Sequence, residues 1–143
     1  MLDGDELRRG INSDLGFSPE ARTENVRRVA EIAKLMARAG LVVVVALISP
    51  YRKDRQNARN IAQGCGIDFI EVYLDCPVEI CEGRDPKGLY RKARTGDLVA
   101  FTGIDSGYEP PRGAEIVLST GTQSASDSTE ALFEYLGARG LLA

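Results

Sequence analysis

Leu41-Val42-Val43-Val44-Val45-Ala46-Leu47-Ile48 is an unbroken apolar run dominated by β-branched side chains, and it constrains the fold more than any other stretch of the chain. A strand with one wet face would alternate polar and apolar residues, so a run without alternation predicts a strand buried on both faces of a parallel sheet. The run is far shorter than the roughly 20 residues a membrane-spanning helix needs. Asp68-Phe69-Ile70-Glu71-Val72-Tyr73-Leu74 and Ala114-Glu115-Ile116-Val117-Leu118 read as two further strands, each followed by turn chemistry, which predicts a sheet at least three strands wide.

Helices are expected between the strands. Ser18 suits an N-cap and Pro19 the first helical position. Val26, Val29, Ala30, Ala33 and Met36 then recur at about 3.6-residue spacing until Gly40 ends the segment. Further helices are expected over 53–63, 78–82, within 89–94 and over 127–138. This alternation predicts an α/β layered fold. A chain of 143 residues with 43% hydrophobic and 27% charged residues fits a single folded domain over 1–143. The Gly-, Pro- and Asp-rich stretch 96–113 is expected to be a lid, since loops of that length in compact domains are usually functional or mobile.

The composition narrows function by exclusion. The net charge of −3 argues against a nucleic-acid footprint. The acidic start Met1-Leu2-Asp3-Gly4-Asp5 does not suit a signal peptide, and with no membrane span a cytoplasmic location is expected. There is no histidine, and Cys65, Cys76 and Cys81 lack metal-ligand spacing, so all three read as reduced thiols. Against the acidic average, residues 84–94 carry Arg84, Lys87, Arg91, Lys92 and Arg94 with Asp85 as their lone acid. Such a segment suits a small polyanion.

Ligands of open α/β sheets gather at the carboxyl ends of strands, which directs attention to four places. Asp3-Gly4-Asp5 reads either as a plain turn or as the end of a strand at which two carboxylates order Mg²⁺ waters or accept the proton of an attacking hydroxyl. Arg8, Arg22 and Asn25 read either as solvated surface or as a bidentate anion site beside an amide, with Arg22 and Asn25 on one helical face. Ser49, after Ile48, reads as a strand-end cap, a ligand contact or both. The basic segment with Phe101 reads either as a solvated helix near a core ring, or as cations for a phosphoryl group beside a ring that, with Phe17, stacks on a purine.

Taken together these segments resemble the adenylylsulfate (APS) kinase family, which phosphorylates the 3′-hydroxyl of APS to give PAPS. The residues that carry the resemblance are Leu2-Asp3-Gly4-Asp5, Asp14-Leu15-Gly16-Phe17-Ser18, Arg22 with Asn25-Val26-Arg27-Arg28, Ile48-Ser49-Pro50-Tyr51, Arg84-Asp85-Pro86-Lys87-Gly88-Leu89-Tyr90 and Phe101-Thr102-Gly103-Ile104-Asp105-Ser106. The resemblance implies a parallel-sheet, three-layer nucleotide-kinase fold of the P-loop NTPase type, with ATP and APS as substrates and Mg²⁺ as cofactor. It places Asp5 beside the 3′-hydroxyl, with Asp3 and Asp5 near the metal. It gives APS contacts to Asp5, Arg8, Phe17, Arg22, Asn25, Ile48, Ser49, Lys87, Ala100 and Phe101. Arg84, Arg91, Lys92 and Arg94 would serve ATP from a lid over about 84–113, and Asp5, Ser49 and Lys87 are the catalytic candidates. The serine matching Ser49 is sometimes described as a phosphoserine intermediate, whereas direct in-line transfer is physically simpler.

Two departures accompany the resemblance. Glu6 replaces the family's usual asparagine and adds a carboxylate near an anionic substrate. No Gly-x-x-Gly-x-Gly-Lys-Ser/Thr phosphate loop occurs in the 143 residues, so the fold is expected to lack its first strand, phosphate loop and first helix. An alternative reading is therefore a catalytically inactive APS- or PAPS-binding or regulatory module that lacks the ATP phosphate loop. A homodimer and a fusion with ATP sulfurylase are further expectations from the family.

Overall fold

The computed structural model describes residues 1–142. It divides into two compact units, one made of Met1–Phe69 with Asp105–Pro110 and the other of Ile70–Ile104 with Pro111 onward.

In the first unit, strand β1 (Leu2–Asp3) runs directly into helix α1 (Gly4–Arg9), followed by helix α2 (Pro19–Arg38), strand β2 (Val45–Ala46) and helix α3 (Arg52–Gln63). Strands β1 and β2 pair in parallel, Leu2 against Val45 and Asp3 against Ala46. The expected α2 forms with its expected cap, the Ser18 hydroxyl accepting the Ala21 N–H at 3.2 Å, and Pro19 opens the first turn. Its Val26 and Val29 are buried, as is Leu7 of α1. Helix α3 packs along α2 and is tied to it by a polar contact, the Thr23 hydroxyl donating to the buried Asp54 carboxylate at 3.0 Å.

Asp3-Gly4-Asp5 is neither a free turn nor the mere end of a strand, because the chain becomes helical at Gly4 with Asp3 as N-cap. The Asp3 Oδ1 accepts from the Asp5 and Glu6 amides at 2.9 and 3.3 Å, which satisfies two of the N–H groups that open a helix. Glycine suits the tight space here. A Cβ at Gly4 would stand 2.9 Å from the Leu47 side chain and 3.3 Å from the Ala46 carbonyl, so the close approach of α1 to β2 depends on its absence.

The apolar run is not a strand buried on both faces. Only Val45 and Ala46 hold ladder positions, and Leu41, Val42 and Val44 are 54%, 77% and 54% exposed. Among the described residues β2 has one strand neighbour, β1, and a two-residue ladder in a two-stranded pair is too short and narrow to give the whole run covered faces.

The second unit holds strand β3 (Val72–Asp75), helices α4 (Val78–Arg84) and α5 (Leu89–Arg94), strand β4 (Ile116–Ser119) and helix α6 (Ala125–Ala138). Strands β3 and β4 pair in parallel from Val72 against Ile116 to Asp75 against Ser119, with Ile116 and Leu118 buried on one face. The sheet is thus two separate parallel pairs rather than one sheet of three strands or more, since no ladder joins β2 to β3 among the described residues. Helix α6 begins two residues earlier than the sequence suggests, because Ser124 and Asp127 form a reciprocal capping box. No helix among the described residues is long and apolar enough to cross a membrane.

Candidate functional site

In the first unit, Arg8 lies in the last turn of α1, Phe17 in the loop before α2 and Arg22 in the first turns of α2. The three side chains meet. The Phe17 ring, 51% exposed, has the Arg8 guanidinium carbon 4.5 Å and the Arg22 guanidinium carbon 5.8 Å from its centroid. Arg8 also donates to the Leu15 and Gly16 carbonyls at 3.1 and 2.9 Å, and Arg22 Nε to the Phe17 carbonyl at 3.0 Å. These bonds fix the loop that presents the ring. Burial of Arg8, and then the like charge of Arg22, lower the Arg8 pKa, while the Asp5 carboxylate acts in the opposite sense. Two guanidinium groups around one ring, with a carboxylate in electrostatic reach, make a place where a bound anion would relieve like-charge repulsion.

Asn25 lies one turn beyond Arg22 and is buried, and its side-chain oxygen accepts from the Asn12 amide at 3.0 Å. That oxygen is held by the protein. Ile48, exposed, and Ser49, half-buried, follow β2 at its carboxyl end. Ser49 has φ of +42°, in the left-handed region that a side chain with a Cβ enters at a cost. Asp3 spends one carboxylate oxygen on the cap of α1, and Asp5 is exposed in the first turn of that helix.

Lys87, Arg84, Arg91, Lys92, Arg94, Ala100 and Phe101 belong to the second unit. Asp85 organises this segment. Its two carboxylate oxygens accept the Tyr90 and Arg91 amides at 3.1 Å each and so cap α5, and the α4 to α5 turn passes through Asp85 at φ +21° and Gly88 at φ +67°. The basic residues are less uniformly available than the sequence suggests. Arg94 makes a bidentate pair with Glu82 at 2.8 and 2.9 Å, and Arg84 donates to the Thr120 carbonyl at 2.8 Å. Arg84, Lys87, Arg91, Lys92 and Arg94 are all exposed, so it is pairing rather than burial that distinguishes them. Phe101 is not an open stacking platform on all sides, since the Tyr90 ring packs edge-on against it at 4.9 Å and 80°.

Ser49, Asp85 and Ala100 are the non-glycine residues with positive φ among those described, at +42°, +21° and +57°. Two of them are residues singled out from the sequence, and the third sits inside the Arg84-Asp85-Pro86-Lys87-Gly88 motif. Backbone strain of this kind concentrates at binding and catalytic positions.

The family model described as adenylylsulphate kinase matches residues 1–119. The chain belongs to the adenylylsulphate kinase family. It is 54% identical over 136 residues to the adenylyl-sulfate kinase of Clostridium acetobutylicum, covering 95% of this chain and 66% of that one. It is 49% identical over 142 residues to that of Geotalea daltonii, covering 99% and 69%. Among solved structures, the APS kinase of Mycobacterium tuberculosis in complex with AMPPNP and APS superimposes with a TM-score of 0.92 at 46% identity, over 95% of this chain and 78% of that one. The chain spans about two thirds of the length of the curated adenylyl-sulfate kinases it matches. These likenesses give it the α/β fold of the P-loop NTPase type, with parallel strands.

Two residues that hold candidate site residues in place were not found by reading the sequence. Asn12 is fully buried and holds Asn25, yet in sequence it looks like a polar turn residue before Ser13-Asp14. Arg55 on α3 donates to the Ser49 carbonyl at 2.6 Å, but it lies among so many polar neighbours that α3 reads as a solvated helix.

Proposed function

We propose that this chain carries the APS-binding part of an ATP-dependent adenylylsulfate kinase, transferring the γ-phosphoryl group of ATP to the 3′-hydroxyl of APS to give PAPS. The observation that supports this most strongly is the meeting of Arg8, Phe17 and Arg22 within electrostatic reach of Asp5 in a chain of this family.

In this reading Phe17 stacks on the adenine, while Arg8 and Arg22 hold the phosphosulfate through charge-assisted bonds. Asn25, oriented by Asn12, offers its amide N–H group to the nucleoside, and the Ile48 and Ser49 backbone lines the same nucleotide. Asp5 orients the 3′-hydroxyl and takes its proton as the oxygen bonds to the γ-phosphorus and the bond from that phosphorus to the ADP oxygen breaks. Within the second unit, taken by itself, family likeness alone suggests Lys87, Ala100 and Phe101 as APS contacts and Arg91 and Lys92 as ATP-phosphate contacts. Arg84 and Arg94 serve those phosphates only after leaving the Thr120 carbonyl and Glu82. Ser49 acts through its backbone, since transfer in line needs no phosphoserine.

No cluster of three or more carboxylate or cysteine ligands occurs among the described residues. Asp3 and Asp5 nevertheless fit Mg²⁺, which takes one or two carboxylates, often through water, and completes its shell with substrate phosphates. The uncapped oxygen of Asp3 and the exposed carboxylate of Asp5 are the groups that would hold it. When bound, the ion neutralises phosphate charge. A dimer, a fusion with ATP sulfurylase and a cytoplasmic setting remain parts of the proposal that rest on family likeness.

The test is transfer of label from γ-labelled ATP to APS by the protein, compared with Asp5→Asn. PAPS formation that falls by about 100-fold or more in the variant, the scale of a lost general base, supports the reading. One-to-one APS binding without any PAPS formation would replace it with a binding module.

A further inference from the structure

Ser49 occupies a strained conformation at the end of β2, and the structure shows what opposes its relaxation. Arg55, in the first turns of α3, donates one guanidinium nitrogen to the Ser49 carbonyl and the other to the Glu109 carbonyl, each at 2.6 Å. Its guanidinium carbon also lies 5.5 Å from the centre of the Tyr108 ring. The segment Asp105–Pro110 is thereby tied to the strand end, although it is more than fifty positions away in the chain. Three further bonds hold the same junction. The Glu109 amide donates to the Pro50 carbonyl at 2.9 Å, the Arg52 amide to the Glu109 carboxylate at 2.7 Å, and Arg52 Nε to the Pro110 carbonyl at 2.6 Å.

We propose that Arg55 is a positioning residue whose guanidinium fork holds Ser49 in its left-handed conformation and fixes Asp105–Pro110 against it, and that this sets the affinity of the strand-end site for the nucleotide. The link to affinity rests on the proposed function; the hold on Ser49 does not. A side chain with a Cβ pays a steric cost for left-handed φ, so without the fork the residue relaxes toward extended backbone and re-aims the peptide groups at the carboxyl end of β2. Arginine suits the task because a planar fork reaches two carbonyls at once, whereas a lysine ammonium acts as a single point.

The experiment compares Arg55→Ala in two backgrounds, Ser49→Ala and Ser49→Gly. Both lack the hydroxyl, but only glycine accepts left-handed φ without cost. With APS as the probe in titration calorimetry, Arg55→Ala is expected to weaken binding about tenfold in the alanine background and about threefold or less in the glycine background. Equal losses in the two backgrounds would overturn the proposal, because a merely structural arginine has no reason to be rescued by glycine at position 49.

A second, ligand-free arm reads the three-bond amide to Hα coupling of Ser49 by NMR. It should move toward the extended-strand value in Arg55→Ala and partly so in Arg55→Lys, and an unchanged coupling would refute the hold. If the parent protein binds no APS, the proposed function fails and the coupling still decides whether Arg55 holds Ser49. Should the alanine variant not fold, Arg55→Lys carries both arms, with the same comparison of the Ser49→Ala and Ser49→Gly backgrounds.

Discussion

Asn12 donates its side-chain N–H to the amide oxygen of Asn25 at 3.0 Å, and both side chains are buried. This bond locks an α2 residue to the loop that follows α1, and it decides which end of the Asn25 amide is left for a ligand. The cost of breaking it should be large, because Asn25 would keep a buried acceptor without a donor. Asn12→Ala is expected to lower unfolding free energy by about 1–3 kcal/mol. Urea titration followed by circular dichroism checks this, and a loss below about 0.5 kcal/mol would show that the bond contributes little.

Phe17 separates binding from stability. Its ring is half exposed and supports two guanidinium groups, so Phe17→Ala should cost the fold about 1 kcal/mol or less through the lost cation–π contacts. Loss of a base-stacking ring should weaken nucleotide binding by about 1–3 kcal/mol, roughly 5- to 150-fold. Paired measurements of thermal stability and APS affinity test the separation. A variant that loses stability but keeps its affinity would make Phe17 a structural residue.

A pH response follows from Glu24. Hydrogen bonds from Arg27, and then from Arg28, bring its pKa down from 4.5 to about 2, and Arg28 is also bidentate on Asp14 at 2.7 and 2.9 Å. A carboxyl whose folded pKa is depressed stabilises the fold above its unfolded pKa and loses that contribution as pH falls through the folded value. The contribution of Glu24 is therefore full above about 5 and fades between about 4.5 and 2. Glu24→Gln should flatten the dependence of stability on pH across that window and leave its slope near neutrality unchanged. Denaturant midpoints collected at pH 7 and pH 3 provide the check, and identical pH profiles for the two proteins would contradict it.

The start of α6 offers a prediction confined to the second unit. Ser124 and Asp127 cap each other reciprocally, so Ser124→Ala should destabilise by about 1 kcal/mol, and Ser124→Gly by only a few tenths. Thermal melts that rank the glycine variant below alanine would argue against the cap as the source.

What could be read from the sequence was what short-range chemistry determines. Ser18 and Pro19 start α2 through contacts within one turn, and Arg8, Phe17 and Arg22 come together because they flank a loop that their own side chains close. The run from Leu41 to Ile48 misled for the opposite reason, since burial of a strand depends on neighbours that its own residues do not specify. Asp3-Gly4-Asp5 does stand at the end of a strand, but the helix that opens at Gly4 was not legible, because the cap made by Asp3 is silent in a pattern that equally spells a turn. Arg55 and Asn12 escaped notice because their partners are far away in the chain, Glu109 for the first and Asn25 for the second. The basic segment showed its charge but not its internal pairing, as Glu82 lies just before it and takes up Arg94.

The central claim is that one sulfated adenine nucleotide is bound by the Arg8, Phe17 and Arg22 cluster. Titration calorimetry of APS into the protein and into Arg22→Lys, with adenosine as a ligand lacking the phosphosulfate, tests it most directly. The account predicts saturable one-to-one APS binding that weakens about tenfold or more in the variant as the bidentate fork is lost, while the weaker adenosine binding, which feels only the lost Arg22 bond to the Phe17 carbonyl, falls by a smaller factor. APS binding of equal strength in the two proteins, or none in either, would contradict it.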